Sequence, residues 1–433
     1  MSRGAACGAK ARGHFGFDTP EGAAEEAPVK RWRSYSLLTG ACVLLGLVVA
    51  FVINTTVNPL RVTPCPWSLK SLEPYRDISA QIRTGKAGLI RSHADWQGAF
   101  VGSSRVANGL DPTLPGWQGT RIANLGCSAG FIYESEGICR YAMKREKLDF
   151  VVLGIDPGDL STSFDTRIES DYYSSPFSDK DEISRELRYY FGISTLELSF
   201  ETIGRSMKKE LAQYTPQGLR KGKQKGARTQ LTFLRNNIAG DAEAGLPDDD
   251  GRLSDLNPAK RELLRRLLED LHRADIRVLL LYHPRHALMH AHSEDVSAPH
   301  VSFEKERRAL CAMADEINRQ PGGSRQIEFW DFNDYHPLNC EALPQTDGER
   351  MQRWHDLGHY AMEVGNLIQS RMMGWPCRLP GGENYGTRVT AENLEAHLEE
   401  IRMGYHRYLT QEGVRDVGWK ESLIRDAKNK NAR

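Results

Sequence analysis

The sequence carries no excess of either charge: 57 Lys and Arg balance 57 Asp and Glu over 433 residues. A neutral chain lacks the net positive surface that phosphate backbones require, which excludes a strongly basic nucleic-acid binder. Cysteine is sparse, and its eight copies include no C-x-x-C pair and no zinc-ribbon spacing. Neither an internal repeat nor a low-complexity tract is visible, and 40% of the residues are apolar, so the chain is neither fibrous nor disordered. Long hydrophobic runs are absent too, with one exception, which excludes a polytopic membrane protein.

The exception is Leu37–Ile53, LLTGACVLLGLVVAFVI, without a single charge. Tyr35 and Ser36 extend it to the ~20 residues that cross a hydrocarbon core. Lys30, Arg31 and Arg33 precede it with Trp32 and Tyr35, and Asn54, Thr55 and Thr56 follow. The one-sided basic flank predicts a cytoplasmic N-terminus and argues against a buried core helix. The preceding tail and the missing small-x-small cleavage site predict a retained single-pass anchor rather than a signal peptide. The expected organisation is a cytoplasmic tail at 1–34, whose GAAEEAP stretch reads as disordered, an anchor at 35–54 and a juxtamembrane segment at 55–95. An α/β domain follows at 96–375 with an insertion at about 160–255, then a helical extension at 376–433. Outside the anchor, Cys65, Cys127, Cys139, Cys311, Cys340 and Cys377 permit disulfides of unreadable pairing in an oxidising compartment; small buried thiols are the alternative.

Short apolar runs at Gly98–Val101, Ile122–Leu125, Phe150–Ile155, Val278–Tyr282 and Ile327–Phe332 alternate with helical patterns. The clearest helix is Pro258–Ala274, with leucines at three- and four-residue spacing. Such alternation predicts parallel βαβ units, a mostly parallel sheet covered on both faces, and ligands at the carboxyl ends of the strands. The basic run at 219–228 reads as a solvated face, with an anionic polymer or lipid headgroup site as the minor alternative. Residues 390–411 predict an amphipathic helix that packs back through Leu394, Leu398, Ile401, Tyr405 and Leu409.

At the strand ends, the first run leads into Gly102-Ser103-Ser104-Arg105, and Trp354-His355-Asp356-Leu357-Gly358-His359 precedes another helical pattern. The spacing of Asp356 and His359 predicts that, on one turn, the carboxylate orients the imidazole, and serine needs such a base to become a nucleophile. A structural alternative has Ser104 merely capping the next helix.

These blocks resemble the SGNH/GDSL hydrolase superfamily, whose fold is a three-layer α/β/α sandwich. Gly102-Ser103-Ser104 is similar to its Gly-Asp-Ser block and Asp356-Leu357-Gly358-His359 to its Asp-x-x-His block. The resemblance implies Ser104 as nucleophile, His359 as base and Asp356 as the orienting acid. It further implies an oxyanion hole from the backbone N–H groups of Ser104 and Gly126, the latter in Asn124-Leu125-Gly126. The superfamily's Gly-x-Asn-Asp block is replaced by Gly154-Ile155-Asp156-Pro157, and an ionised Asp156 cannot donate to an oxyanion. Either the hole relies on backbone donors alone, or ordinary hydrolase activity is lost. With its anchor and Gly-Ser-Ser motif the chain resembles membrane-anchored D-alanyl transfer proteins of teichoic-acid modification. Alginate and other polysaccharide O-acetylation proteins are more distant, the former placing Asp and His before the serine.

Four histidines at 283, 286, 290 and 292 follow the fourth run. His286 and His290 have zinc-compatible spacing, but no glutamate completes H-E-x-x-H, so no metal is expected. This loop is expected to edge the crevice, with His283 or Arg285 on substrate; Ser103, Arg105, Asn124 and Asp156 complete the expected lining. The aromatics of Trp330–His336 stack on a sugar or simply pack in the core. The expectation is therefore a bacterial inner-membrane protein with a periplasmic domain that transfers or hydrolyses an acyl group, with acetyl the expected one, on an envelope or exported glycan. The chemistry requires no cofactor, and the resemblance implies a membrane-bound O-acyltransferase as donor partner. A non-catalytic glycan-binding or scaffold subunit is the alternative.

Overall fold

The computed structural model describes residues 26–431 except 94, 164–167, 179, 181, 223–226, 245–251, 298–301 and 377–378. Most of the tail, including Cys7 and the start of the GAAEEAP stretch, lies outside the described residues, as do Cys377 and the middle of the basic run.

The described residues begin with helix α1 (Glu26–Val57), which overruns the expected anchor at both ends. Its segment Trp32–Val57 is long and apolar enough to span a membrane, with mean hydropathy 2.6, and only 6% of its most apolar window is buried, unlike a core helix. Twenty-six helical residues rise about 39 Å at ~1.5 Å each, enough for a ~30 Å hydrocarbon core.

Helices and strands then alternate: α2 (Ile82–Ser92), β1 (Gly98–Val101), α3 (Ser104–Gly109), β2 (Ile122–Asn124), α4 (Ile132–Arg145) and β3 (Phe150–Ile155). The expected insertion contains α5 (Ser170–Tyr173), α6 (Glu182–Phe191), α7 (Ile193–Lys208) and α8 (Ala227–Glu243). Alternation resumes with α9 (Pro258–Arg273), β4 (Arg277–Tyr282), α10 (Glu304–Asn318), β5 (Ile327–Asp331) and α11 (Met362–Met373). β6 (Thr387–Val389), α12 (Leu394–Arg407) and α13 (Val414–Asn431) close the chain. The start of α9 shows the local logic. Pro258 pre-sets the first helical φ, and Asn257 Oδ1 accepts the N–H groups of Ala259 and Lys260 at 3.0 and 3.3 Å.

The strands form one mixed sheet in the order β2-β1-β3-β4-β5-β6, parallel except for β6, which runs antiparallel to β5. β1 lies between β2 and β3, so the winding reverses there and a crevice opens at the carboxyl ends of β1 and β3. Alternate strand side chains enter two separate buried clusters, as a pleat of period two requires. Ala99, Val101, Val151, Leu153 and Leu280 pack with Leu264 and Leu268 of α9 and Leu310 of α10. Phe100, Val152, Leu279 and Leu281 pack with Val364 and Ile368 of α11 and Tyr405 of α12.

The C-terminal helix is shorter than expected. α12 stops at Arg407, a π-helical turn spans Tyr408–Glu412, and α13 follows. Leu398, Ile401, Tyr405 and Leu409 are nevertheless buried. A buried polar anchor fixes this region to the sheet: Asp331 Oδ2 at the end of β5 accepts His397 Nε2 at 2.9 Å and Arg307 Nε at 2.6 Å. The cysteines among the described residues are all free thiols, and Cys127 and Cys139 sit in the core, where a small thiol packs as an apolar group.

Candidate active site

β1 ends in a turn that only glycine accommodates. Gly102 has φ 148°, and a Cβ there would lie 2.7 Å from Val106 Cγ2 and 3.0 Å from the Gly154 carbonyl. The chain then enters α3, whose cap is Ser103, not Ser104: Ser103 Oγ accepts the N–H of Arg105 at 3.3 Å. Ser104 is the first helical residue, half-buried, and its N–H lies outside the helix's own ladder.

The Ser104 hydroxyl meets the histidine loop. Its Oγ is 2.8 Å from His359 Nε2, and His359 Nδ1 is 2.9 and 3.1 Å from Asp356 Oδ1 and Oδ2. A carboxylate only accepts, so the neutral imidazole carries its proton on Nδ1 and presents the Nε2 lone pair to the serine O–H. Their spacing predicts that Asp356 and His359 share a helical turn, but the structure has no helix there. They sit in a loop closed by the N–H of His355 donating to the His359 carbonyl at 2.8 Å and by a bridge between Trp354 and Tyr360. Asp356 Oδ1 also accepts the N–H groups of Gly358 and His359 at 2.9 and 2.8 Å, an Asx-type turn. Burial pushes the Asp356 carboxyl up, but the His359 imidazole and these two N–H groups together hold it below its ordinary value. α11 starts three residues after His359 and approaches α3 closely, since a Cβ on Gly365 would lie 1.8 Å from the Gly109 carbonyl. That contact locks the serine element to the histidine element.

Behind Ser104 lies a buried polar group. Arg105 Nη1 pairs with Asp156 Oδ2 at 2.7 Å, and Arg105 Nε donates to the Gly358 carbonyl at 2.6 Å. Burial alone would raise the Asp156 carboxyl; Arg105, His283 and Arg285 outweigh it and bring it down to about 2. Asp156 is therefore an ionised acceptor, and its buried Oδ1 has no hydrogen-bond partner among the described residues. His283, fully buried, has Nδ1 3.2 Å from the Tyr360 hydroxyl. Burial pulls its imidazole down to about 3, although Asp156 acts in the opposite sense.

Several expected lining residues consequently serve from inside. His283 and Arg285 do not edge an open crevice: both are buried, and Arg285 lies 2.9 Å from His290 Nε2 and donates to the Pro157 carbonyl at 2.7 Å. Asn124 is a clamp on α3, its Nδ2 donating to the carbonyls of Val106 and Leu110 at 2.9 Å each. The expected oxyanion donor Gly126 spends its N–H on Asn124 Oδ1 at 3.1 Å, so the structure commits that group within the protein. Ser103, Arg105 and Asp156 are likewise buried. What sequence reasoning missed is the role of Arg105 and Gly358 as a strut between the serine and histidine segments; nothing in the spacing signals it.

The rival features find ordinary uses. His286 Nε2 lies 2.6 Å from the Glu341 carbonyl and its Nδ1 accepts the N–H of Leu288 at 3.2 Å. No group of three or more His, Cys, Asp or Glu suited to a metal occurs among the described residues. Trp330 stacks on Phe332, and Tyr335 stacks on Tyr405 of α12 with centroids 5.1 Å apart, so these aromatics pack within the protein. Comparison with protein-family models and with curated proteins finds no match for this chain.

Proposed function

We propose that the protein is a serine acyl esterase or O-acyltransferase, held by α1 in the bacterial inner membrane with its N-terminus in the cytoplasm and its main domain in the periplasm. The domain would be an SGNH-like three-layer α/β/α sandwich, a reading supported by the two clusters on opposite sides of one sheet. The observation that carries the catalytic proposal is the hydrogen-bond series from Ser104 Oγ to His359 at 2.8 Å and on to Asp356 at 2.9 Å. His359 takes the Ser104 proton, Oγ attacks the acyl carbonyl, and the donor's ester oxygen leaves with the proton returned by His359. The acyl-enzyme then passes its group to a sugar hydroxyl or water deprotonated by His359, which restores the Ser104 hydroxyl. A positioned base of this kind contributes roughly 10²–10⁴-fold. The backbone N–H of Ser104 supports the developing oxyanion. Acetyl on an envelope or exported glycan is the proposed group and acceptor, with a membrane-bound O-acyltransferase as donor partner. No cofactor enters these steps.

The test is a serine-directed fluorophosphonate, with the adduct located by mass spectrometry. An adduct on Ser104 that disappears in His359→Ala supports the proposal. No adduct in folded protein, together with unchanged glycan acetylation in Ser104→Ala cells, would overturn it. A second reading, a non-catalytic glycan-binding or scaffold subunit, is favoured by one observation: Asp156 is an acceptor and Gly126 has its donor committed, which leaves the oxyanion hole poor in donors.

A further inference from the structure

α6 has its apolar side turned the wrong way for a helix facing water. Ile183, Leu187 and Phe191 recur every four residues and share one face. That face is the exposed one, at 80%, 53% and 36%, and an open groove of about 890 Å³ runs along it. The inward face carries Arg185 and Tyr189. Arg185 Nη1 donates to the carbonyls of Ser178 and Lys180 at 2.8 and 2.9 Å, and the Tyr189 hydroxyl donates to the Ser174 carbonyl at 2.9 Å. α7 repeats the inversion, burying Thr195, Ser199 and Thr202 while exposing Ile193 and Phe200.

The position of this face indicates what covers it. Phe51, near the end of the apolar run of α1, stacks on both Tyr190 and Phe191 with centroids 5.7 Å apart. Asn54, fully buried, donates to the Tyr190 carbonyl at 3.1 Å and accepts from Ser199 Oγ at 3.1 Å. The corner between α6 and α7 is thus fixed at the level where α1 leaves the hydrocarbon. Trp67, 53% exposed, donates its indole N–H to Thr55 Oγ1 at 3.0 Å at the same level, and tryptophan favours such interfaces.

We propose that the outer face of α6 and its corner with α7 form a second membrane contact, lying in the interfacial zone of the same bilayer that α1 spans. The proposal rests on α1 being a membrane span. Two contacts at one level hold the domain in a fixed orientation, whereas a single helix would leave it free to swing.

The test places a nitroxide on full-length protein in nanodiscs of phosphatidylcholine and phosphatidylglycerol, in a background whose non-buried cysteines are serine. Labels at Ile183→Cys and Leu187→Cys report the proposed face, Val48→Cys reports the anchor, and Met403→Cys, an exposed position on α12, reports water. Power saturation should show the α6 labels, like the one at Val48, relaxed more by oxygen than by a water-soluble nickel chelate, with the reverse at Met403. If Val48 is oxygen-favoured while the α6 labels are chelate-favoured, the second contact is overturned and the anchor stands. Shielding of the α6 labels from both reagents means that protein covers the face, and it overturns the lipid assignment. A chelate-favoured Val48 overturns the anchor and the proposal together.

Discussion

Arg105 and Asp156 form an ion pair of 2.7 Å inside the protein, and the same guanidinium holds the Gly358 carbonyl at 2.6 Å. One side chain thereby joins the end of β3, the start of α3 and the histidine loop. The fork of arginine suits this double duty; the single ammonium of lysine does not.

Arg105→Ala strands an ionised Asp156 that is 3% exposed. Removing one partner of a buried pair costs about 3–5 kcal/mol, so urea unfolding should show a loss of that order. Arg105→Met combined with Asp156→Asn removes both charges and should recover much of the loss. Arg105→Lys should retain most of the stability yet lower the rate of fluorophosphonate labelling, because the Gly358 carbonyl loses its donor. Additive losses in the double variant would show that the pair is not coupled.

The strands were legible because fully buried parallel strands must be short apolar runs. β1 and β3 coincide with GAFV and FVVLGI, and β2, β4 and β5 differ from their runs by single terminal residues. β6 was not legible: three residues, TRV, at an antiparallel edge carry no apolar run. Ser104 could be read from a motif at the end of β1, and Asp356 and His359 from their spacing, although they lie in a loop well beyond the end of β5. Their support could not, since the partners of Arg105, Asn124 and His283 come from distant segments that only the sheet order brings together. For the same reason nothing in the sequence signals that α6 turns its apolar face outward, since that depends on which of its sides is buried.

Asp356→Asn should separate orientation from folding. The amide oxygen can still accept the N–H groups of Gly358 and His359, but its NH₂ would donate to His359 Nδ1 and force the proton onto Nε2. Nε2 then has no lone pair for the serine. Labelling of Ser104 should slow by roughly 10²–10⁴-fold, with unfolding free energy changed by less than about 1.5 kcal/mol. An unchanged labelling rate would remove Asp356 from the site's chemistry.

His283 makes stability depend on pH. Its imidazole titrates near 6.5 when unfolded and is pulled to about 3 by burial. Between those values the unfolded chain holds a proton that the native state does not. The contribution is therefore fully present above pH 6.5 and is lost as pH falls toward 3, with a limiting slope of about 1.4 kcal/mol per pH unit. His283→Asn should flatten the stability profile between pH 6 and 4 by up to about that slope, whatever its effect on absolute stability. An unaltered slope would mean that His283 charges in the native state.

Gly365→Ala tests whether the approach of α11 to α3 holds the serine and histidine in register. Helix propensity alone favours alanine by about 1 kcal/mol. Against this, the added Cβ would lie 1.8 Å from the Gly109 carbonyl, a backbone atom that cannot rotate away. Overpacking of this kind costs typically 1–3 kcal/mol, so the net change should be destabilising. The more telling readout is chemical. Gly109 ends the helix that Ser104 begins, and α11 starts three residues after His359, so separating the two helices lengthens the 2.8 Å contact between Ser104 Oγ and His359 Nε2. Labelling of Ser104 should fall even at temperatures where the variant remains fully folded. Gly418→Ala, inside α13 in open space, provides the control: helix propensity should stabilise it by about 1 kcal/mol, with labelling of Ser104 unchanged. Normal labelling by a destabilised Gly365→Ala protein would show that the site keeps its register without this contact.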